Sequence, residues 1–180
     1  MHYTFDDRQV RLVLPHRTPM LLVDWVPDCA PALDRLQAVK QVSVGDSMFS
    51  RGPDDRSFFP PTLVMEALAQ SCGFLMNLRW LAAQGVDVAA FAGGDDRIVA
   101  ATSIPHSVLA EVRAHQLRLA HAGDSLRMEA RVRLQRGQMV RFSATAASAT
   151  GTCTEVDMLL AFPEYTLSGV PGSTHEGADP

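Results

Sequence analysis

Cysteine is scarce in this chain, and so are long apolar stretches and concentrated charge. Cys29, Cys72 and Cys153 are its three cysteines in 180 residues. An odd, widely spaced set with no histidines at ligand spacing builds neither a disulfide frame nor a zinc site. The three are expected to be reduced core residues, and no metal or other cofactor is implied. No charge-free apolar run reaches the roughly 18 residues that a membrane span needs. The opening "MHYTFDDRQVRLVLPHR" is too charged for a secretory signal. A soluble, cytoplasmic protein with no membrane partner is expected. A net charge of −4 lacks the concentrated basic face of nucleic-acid binders, so no nucleic-acid partner is expected either.

What is present is an ordinary globular composition, 47% apolar, with no internal repeats. The length suits one domain, since a chain of roughly 150 residues already buries about 68–70% of its unfolded surface. A single domain over 1–162 is expected, followed by a tail over 163–180 whose Gly, Pro, Ser and charged residues show no periodicity and read as disordered.

Along the chain, "MLLVDWV" (20–26) is a short apolar run that suits a buried strand. "RLQAVKQVSV" (35–44) alternates Leu36, Ala38, Val42 and Val44 with polar residues, as a half-exposed strand does. A polar loop with Pro and Gly runs from Gly45 to Pro61, and Pro60-Pro61 can end an extended segment and open a helix. The helix is expected from about Thr62 to Ala83, closed by Gly85. Strand patterns then recur at 112–121, 125–135, 139–148 and 153–162, separated by turn residues such as "AGDS" and "RGQ". The order predicts an α+β fold in which one long helix is wrapped by a curved antiparallel sheet.

Within that helix, Gln70, Gly73, Asn77 and Gln84 fall within about 40° of Glu66 at the helical angle of roughly 100° per residue. Apolar residues including Leu63, Val64, Leu68, Phe74, Leu75 and Leu81 cover the other directions. This narrow polar seam is either the solvent side of an amphipathic helix or the wall of a cleft or subunit contact. Glu66 is its one carboxylate. A buried carboxylate is costly unless neutralised or paired, so Glu66 is either a satisfied structural group or a chemical one.

"LPHRTPMLLVDWV" (14–26) followed by "FFPPTLVMEALAQSCGFL" (58–75) resembles the opening strand and central-helix motif of the bacterial 3-hydroxyacyl-acyl-carrier-protein dehydratases, which have the hot-dog fold. "QLRLAHAGDSLRMEARVRLQRGQMVRFSATA" (116–146) is similar in layout to their last strands, so the resemblance covers most of residues 14–162. The segment "IVAATSIPHSVLAEV" looks like an insertion of unassigned role. In that family a loop histidine of one subunit faces an acidic residue on the partner's helix. One group takes the proton next to the thioester carbonyl and the other protonates the departing hydroxyl. The resemblance makes Glu66 the catalytic acid and Gln70 the glutamine that follows it, and puts Phe59, Pro60 and Gly73 with Gln70 on the substrate side.

The histidine does not carry over, because Gly52 stands at its place, and Pro61 stands where the family has glycine. Asp54 and Asp55 lie in the right loop but read as turn residues. His16, His106, His115 and His121 each have an ordinary structural or surface reading. Arg127, Arg131 and Arg133 share a strand face that is either solvated or a dock for an acidic carrier protein.

The resemblance therefore implies a divergent dehydratase-family subunit acting on phosphopantetheine-linked chains of an acyl carrier protein, in fatty acid or polyketide synthesis. It would contribute Glu66 to a composite site as a homodimer or as a heterodimer with a histidine-bearing hot-dog paralogue. A thioesterase using Glu66 and a non-catalytic acyl-binding or partner-stabilising subunit are the alternatives.

Overall fold

Pro61 presets helical φ at a position whose N–H has no intrahelical partner to lose, and the dominant helix starts there. In the computed structural model, which describes residues 2–45, 49–52 and 56–162, this helix runs over Pro61–Ala83. It ends where Gly85 takes a left-handed φ of 84°, which lets the Val86 amide turn back to the Leu81 carbonyl at 3.0 Å. The expected boundaries at Thr62, Ala83 and Gly85 match.

In chain order the elements are β1 (Tyr3–Phe5), α1 (Asp7–Val13), β2 (Trp25–Cys29), β3 (Arg35–Gln41), β4 (Ser50–Arg51), β5 (Ser57–Phe59), α2 (Pro61–Ala83), α3 (Val88–Ala92), α4 (Arg97–Ala100), β6 (Val108–Gln116), β7 (Ala120–His121), β8 (Ser125–Arg136), β9 (Met139–Ser148) and β10 (Gly151–Ala161). A seven-stranded antiparallel sheet has the order β1-β2-β3-β8-β9-β10-β6, and a small sheet has the order β4-β5-β7.

The large sheet curls round α2 because its inward positions are apolar and, where the helix crosses, small. Leu126, Met128 and Ala130 on β8 and Phe142, Ala144 and Ala146 on β9 are buried, with Ala130 paired to Ala144 and Met128 to Ala146. On the outer face of β8, Arg127, Arg131 and Arg133 are exposed. From Gln70 to Leu78 every residue of α2 is buried. The sheet covers one side and the N-terminal segment the other, where the Phe5 ring meets Phe74 and Phe91 at 5.3 and 5.4 Å between centroids. This is the hot-dog arrangement, in the expected α+β class.

Five sequence expectations shift. The loop expected from Gly45 to Pro61 carries the short strands β4 and β5, and the strand expected over 112–121 is divided between β6, which ends at Gln116, and β7 in the small sheet, because the Leu117 and Arg118 amides turn to the Cys153 carbonyl. The segment 20–24 is not part of a strand, and β2 occupies Trp25–Cys29 instead, because a side chain of α2 takes the backbone groups of residues 20 and 22 that a neighbouring strand would have used. Val44 is exposed rather than inward. The pairing of the preceding segment ends at Val42, whose N–H and C=O are taken by Asp124 and Gly123 at the next turn. The unassigned stretch from Ile98 to Val112 supplies the end of α4, a connection over 101–107 and the start of β6. The expected tail lies outside the described residues, as do Asp54 and Asp55.

Candidate active site

Glu66 sits in the second turn of α2, with its side chain about one-third exposed at 33%. Its Oε1 accepts a hydrogen bond from Gln70 Nε2 at 2.9 Å and lies 3.4 Å from His16 Nε2. The spacing of four residues stacks Glu66 and Gln70 on one helix face. Gln70 is buried, and its amide also joins the helix to the N-terminal segment. Its Oε1 accepts from the Leu22 amide at 2.8 Å and its Nε2 donates to the Met20 carbonyl at 2.7 Å. Further along, Asn77 Nδ2 donates to the Val13 carbonyl at 2.9 Å.

The polar seam is therefore largely consumed inside the subunit. Gln70 and Asn77 are bonded to residues 13–22, Gly73 is buried beside Ser107, Gln84 lies exposed near the helix end, and Glu66 alone combines a charge with an opening. Arg17 donates to the Leu14 and His16 carbonyls, and Arg79 to the Leu33 carbonyl and Gln135. Among the described residues, Glu66 thus has His16 and Gln70 as polar partners and no arginine.

The opening is a cavity of about 140 Å³ walled by His16, Glu66, Gln70, Gly73 and Asn77, and on its far side by Ser107 and Leu109 at the start of β6. Two buried atoms around it have no hydrogen-bond partner, His16 Nδ1 and Asn77 Oδ1. Gly73 contributes open volume, because a Cβ there would meet Ser107 Oγ at an ordinary 3.6 Å. Phe59 is fully buried beside Phe49 with ring centroids at 6.1 Å, and Pro60 is the residue that caps α2. Neither lines this cavity. A larger cavity of about 630 Å³ lies at the other end of α2, between Met76, Trp80, Val140 and Phe162. Its ionisable group is Arg79, already engaged, so it holds no acid–base pair.

Gly52, at the place the resemblance gives the base, lies beside β4 and donates its amide to the Arg56 carbonyl at 3.0 Å. On the neighbouring β7, His121 is half-buried and its Nδ1 lies 3.0 Å from the Ser57 carbonyl oxygen. His106 and His115 are exposed. All three thiols are buried. Among the described residues no three His, Cys, Asp or Glu side chains gather to hold a metal, and no helix is long and apolar enough to cross a membrane. The arginines of β8 lie on the sheet face turned away from α2. Arg131 is paired to Glu129, and Arg133 donates to Ser143 Oγ at 2.7 Å.

Glu66 and Gln70 meet as their helical spacing predicts. The contact of His16 with Glu66 crosses 50 residues and is not contained in that spacing, although both residues belong to the motifs that carry the resemblance.

No protein-family model matches the chain. Among curated proteins it is similar to the 3-hydroxyacyl-acyl-carrier-protein dehydratase FabZ of Legionella pneumophila strain Corby, with 30% identity over 165 residues, 91% of this chain and 98% of that protein. It is 28% identical to the FabZ of Paracidovorax citrulli over 154 residues, 86% and 94% of the two chains. Among solved structures it is similar to the dehydratase heterocomplex ApeI:P from Xenorhabdus doucetiae, with a TM-score of 0.61, 15% identity, and coverage of 86% of this chain and 90% of that one. An uncharacterised Pyrococcus horikoshii protein superposes with a TM-score of 0.56 at 11% identity, covering 82% and 88%. These structural likenesses show the fold.

Proposed function

Because the chain belongs to the 3-hydroxyacyl-acyl-carrier-protein dehydratase FabZ family, we propose that it is a cytoplasmic dehydratase acting on 3-hydroxyacyl chains carried by acyl carrier protein, in fatty acid or polyketide synthesis. It works as a dimer, and Glu66 protonates the departing hydroxyl. The observation that carries this reading is the position of the Glu66 cavity beside β6, an edge strand that no further strand pairs among the described residues.

Eight of the nine residues of β6 are exposed. Leu109 and Val112 pair with the buried Leu160 and Met158 of β10, yet are themselves 45% and 38% exposed. An unpaired edge with apolar side chains on its core side invites another strand. A second copy fits: antiparallel pairing about Val112 sets Glu111 opposite Arg113, and opposite charges across strands are favourable. Such pairing closes the cavity at Ser107 and Leu109 and shields Glu66 from water.

His16 does not serve as the base. Acid and base must each stand about 3 Å from atoms on either side of the substrate, so they need roughly 6 Å or more between them. His16 Nε2 lies 3.4 Å from Glu66, which leaves no room for a substrate. Its role is to orient the carboxyl, and the base comes across the interface.

The test is hydration of a 2-enoyl chain on acyl carrier protein by the wild-type dimer and by Glu66→Gln. Loss of at least about 100-fold in turnover is expected for removal of a general acid, with melting temperature little changed, because Gln keeps the shape of a half-exposed side chain. Release of free carrier thiol without hydration would overturn the dehydratase reading in favour of thioester hydrolysis.

A further inference from the structure

We infer that His121 of a second copy of this chain is the base that Gly52 cannot supply, so that a homodimer carries two complete sites. The inference rests on the dehydratase reading above, and the observations behind it are independent of the motif that the chain lacks.

The first observation is how His121 is held. Its own amide donates to Asp124 Oδ2 at 2.8 Å, and the Asp124 amide returns to the His121 carbonyl at 3.0 Å, which locks the backbone in the turn before β8. The Ser57 carbonyl 3.0 Å from Nδ1 can only accept, so Nδ1 carries the hydrogen. Nε2 is left with its lone pair, and among the described residues no partner contacts it. A backbone carbonyl that fixes the tautomer and ring plane is how a histidine is prepared to take a proton at its other nitrogen. Ser57 is also paired with Arg51, the neighbour of Gly52. His121 therefore belongs to the same small sheet as the position where the loop base is missing.

The second observation is where the chain leads. The Glu66 cavity is walled by Ser107 and Leu109, at one end of β6. The other end, Gln116, runs through residues 117–119 to His121. Antiparallel pairing of two copies about Val112 reverses these ends, setting Ser107 of one copy opposite Leu117 of the other. Each Glu66 cavity then receives the His121 end of the partner, and a substrate in the cavity lies between acid and base.

Among the described residues, the remaining histidines fail one requirement each. His2 is tied to Asp28, His16 crowds the acid, and His106 and His115 are exposed with no contact that fixes a tautomer.

The reaction balances on these two residues. His121 Nε2 takes a proton from C2 of the 3-hydroxyacyl thioester, and the C–H electron pair forms the C2–C3 double bond as the C3–O bond breaks. The leaving hydroxide takes the proton of the Glu66 carboxyl and departs as water. The imidazolium then returns its proton to the Glu66 carboxylate through solvent, restoring both groups, and the 2-enoyl thioester leaves.

The experiment uses the purified full chain and crotonyl-acyl carrier protein, with hydration followed by loss of the enoyl thioester. Wild-type homodimer should turn over, and Glu66→Gln and His121→Asn homodimers should each lose at least about 100-fold in kcat. Asn can still donate to the Ser57 carbonyl. A dimer of one Glu66→Gln chain and one His121→Asn chain, isolated on two different tags, keeps one intact composite site and should recover up to half the wild-type rate. That recovery also shows that the His121→Asn chain folds. An active His121→Asn homodimer, or no recovery in the mixed dimer, overturns the assignment of His121 while Glu66 and the dehydratase reading stand. An inactive wild-type homodimer that gains activity with a histidine-bearing paralogue overturns it too. A wild-type chain inactive under both conditions defeats the dehydratase reading itself.

Discussion

Gln70 Oε1 accepts the Leu22 amide hydrogen at 2.8 Å across 48 residues of chain. This bond, with its companion to the Met20 carbonyl, decides that the segment before β2 runs across the helix rather than along a strand. The same side chain donates to Glu66, so one amide joins the fold to the site.

Gln70→Ala should lower unfolding stability by about 2–4 kcal/mol, because the buried Leu22 amide loses its partner at roughly 1–3 kcal/mol and the half-buried Met20 carbonyl adds a smaller loss. Urea titration gives this figure. A loss below about 0.5 kcal/mol would mean that water replaces the amide without penalty.

Gly73→Ala separates space from folding. The added Cβ meets Ser107 Oγ at 3.6 Å, and alanine is favoured over glycine in a helix interior by up to about 1 kcal/mol. Stability should hold or rise while turnover of carrier-bound substrate falls, because the methyl group occupies the cavity beside Glu66. Unchanged turnover would show that the acyl chain does not pass this point.

Val112→Lys places a charge at the centre of the exposed edge. Sedimentation should show a monomer with native circular dichroism, and hydration activity should fall with the dimer. A variant that remains dimeric would move the interface away from β6.

The buried thiols give the protein an alkaline limit. Burial, helped by Asp28 and Asp34, pushes the Cys29 thiol from 9.0 up to about 12, and burial pushes Cys72 up as well. Above about pH 9 the unfolded chain releases these protons and the folded chain keeps them. Unfolding stability should therefore fall with rising pH, by about 1.4 kcal/mol per unit for each thiol that is protonated only in the fold. Urea titrations near pH 8 and pH 10.5 measure the slope, and the Cys29→Ala, Cys72→Ala double variant should flatten it. An equal decline in that variant would assign the slope to other groups.

Local signals made much of the fold legible. Pro60, Pro61 and Gly85 punctuate α2, and period-two alternation marks β8 and β9. Distant captures account for the misses. Residues 20–24 are apolar enough for a strand, but the Met20 carbonyl and the Leu22 amide go to a glutamine on the helix and the Met20 and Leu21 amides go to the Arg17 carbonyl. The polar seam reads as either a solvent face or the wall of a cleft or subunit contact; its residues do line the small cavity, and residues 13–22 also fold over it through Gln70 and Asn77, contacts that no periodicity contains. Asp6 and Gln9 form a reciprocal cap on the seven-residue α1, a signal present in the sequence but attached to a helix too short to show a periodic face. In the candidate site, Glu66 is visible in the sequence as a lone carboxylate among apolar neighbours. The surroundings of His16 and of the proposed base His121 are not, because their contacts to Glu66 and Ser57 span 50 and 64 residues and lie in the fold alone.

The unbroken burial of α2 from Gln70 to Leu78 bears on how the molecule breathes. Amide hydrogens there should exchange with deuterium only through global unfolding, while β6 and the β4–β5 hairpin open first. The small cavity follows α2 from Glu66 past Gln70 and Gly73 to Asn77, while the larger one opens from Met76 towards Trp80 and the helix end. On the dehydratase reading, an acyl chain entering beside Glu66 lies along this face of α2 against Ser107 and Leu109 at the start of β6, so differences in preferred chain length between relatives should be written in the residues at the proposed subunit contact.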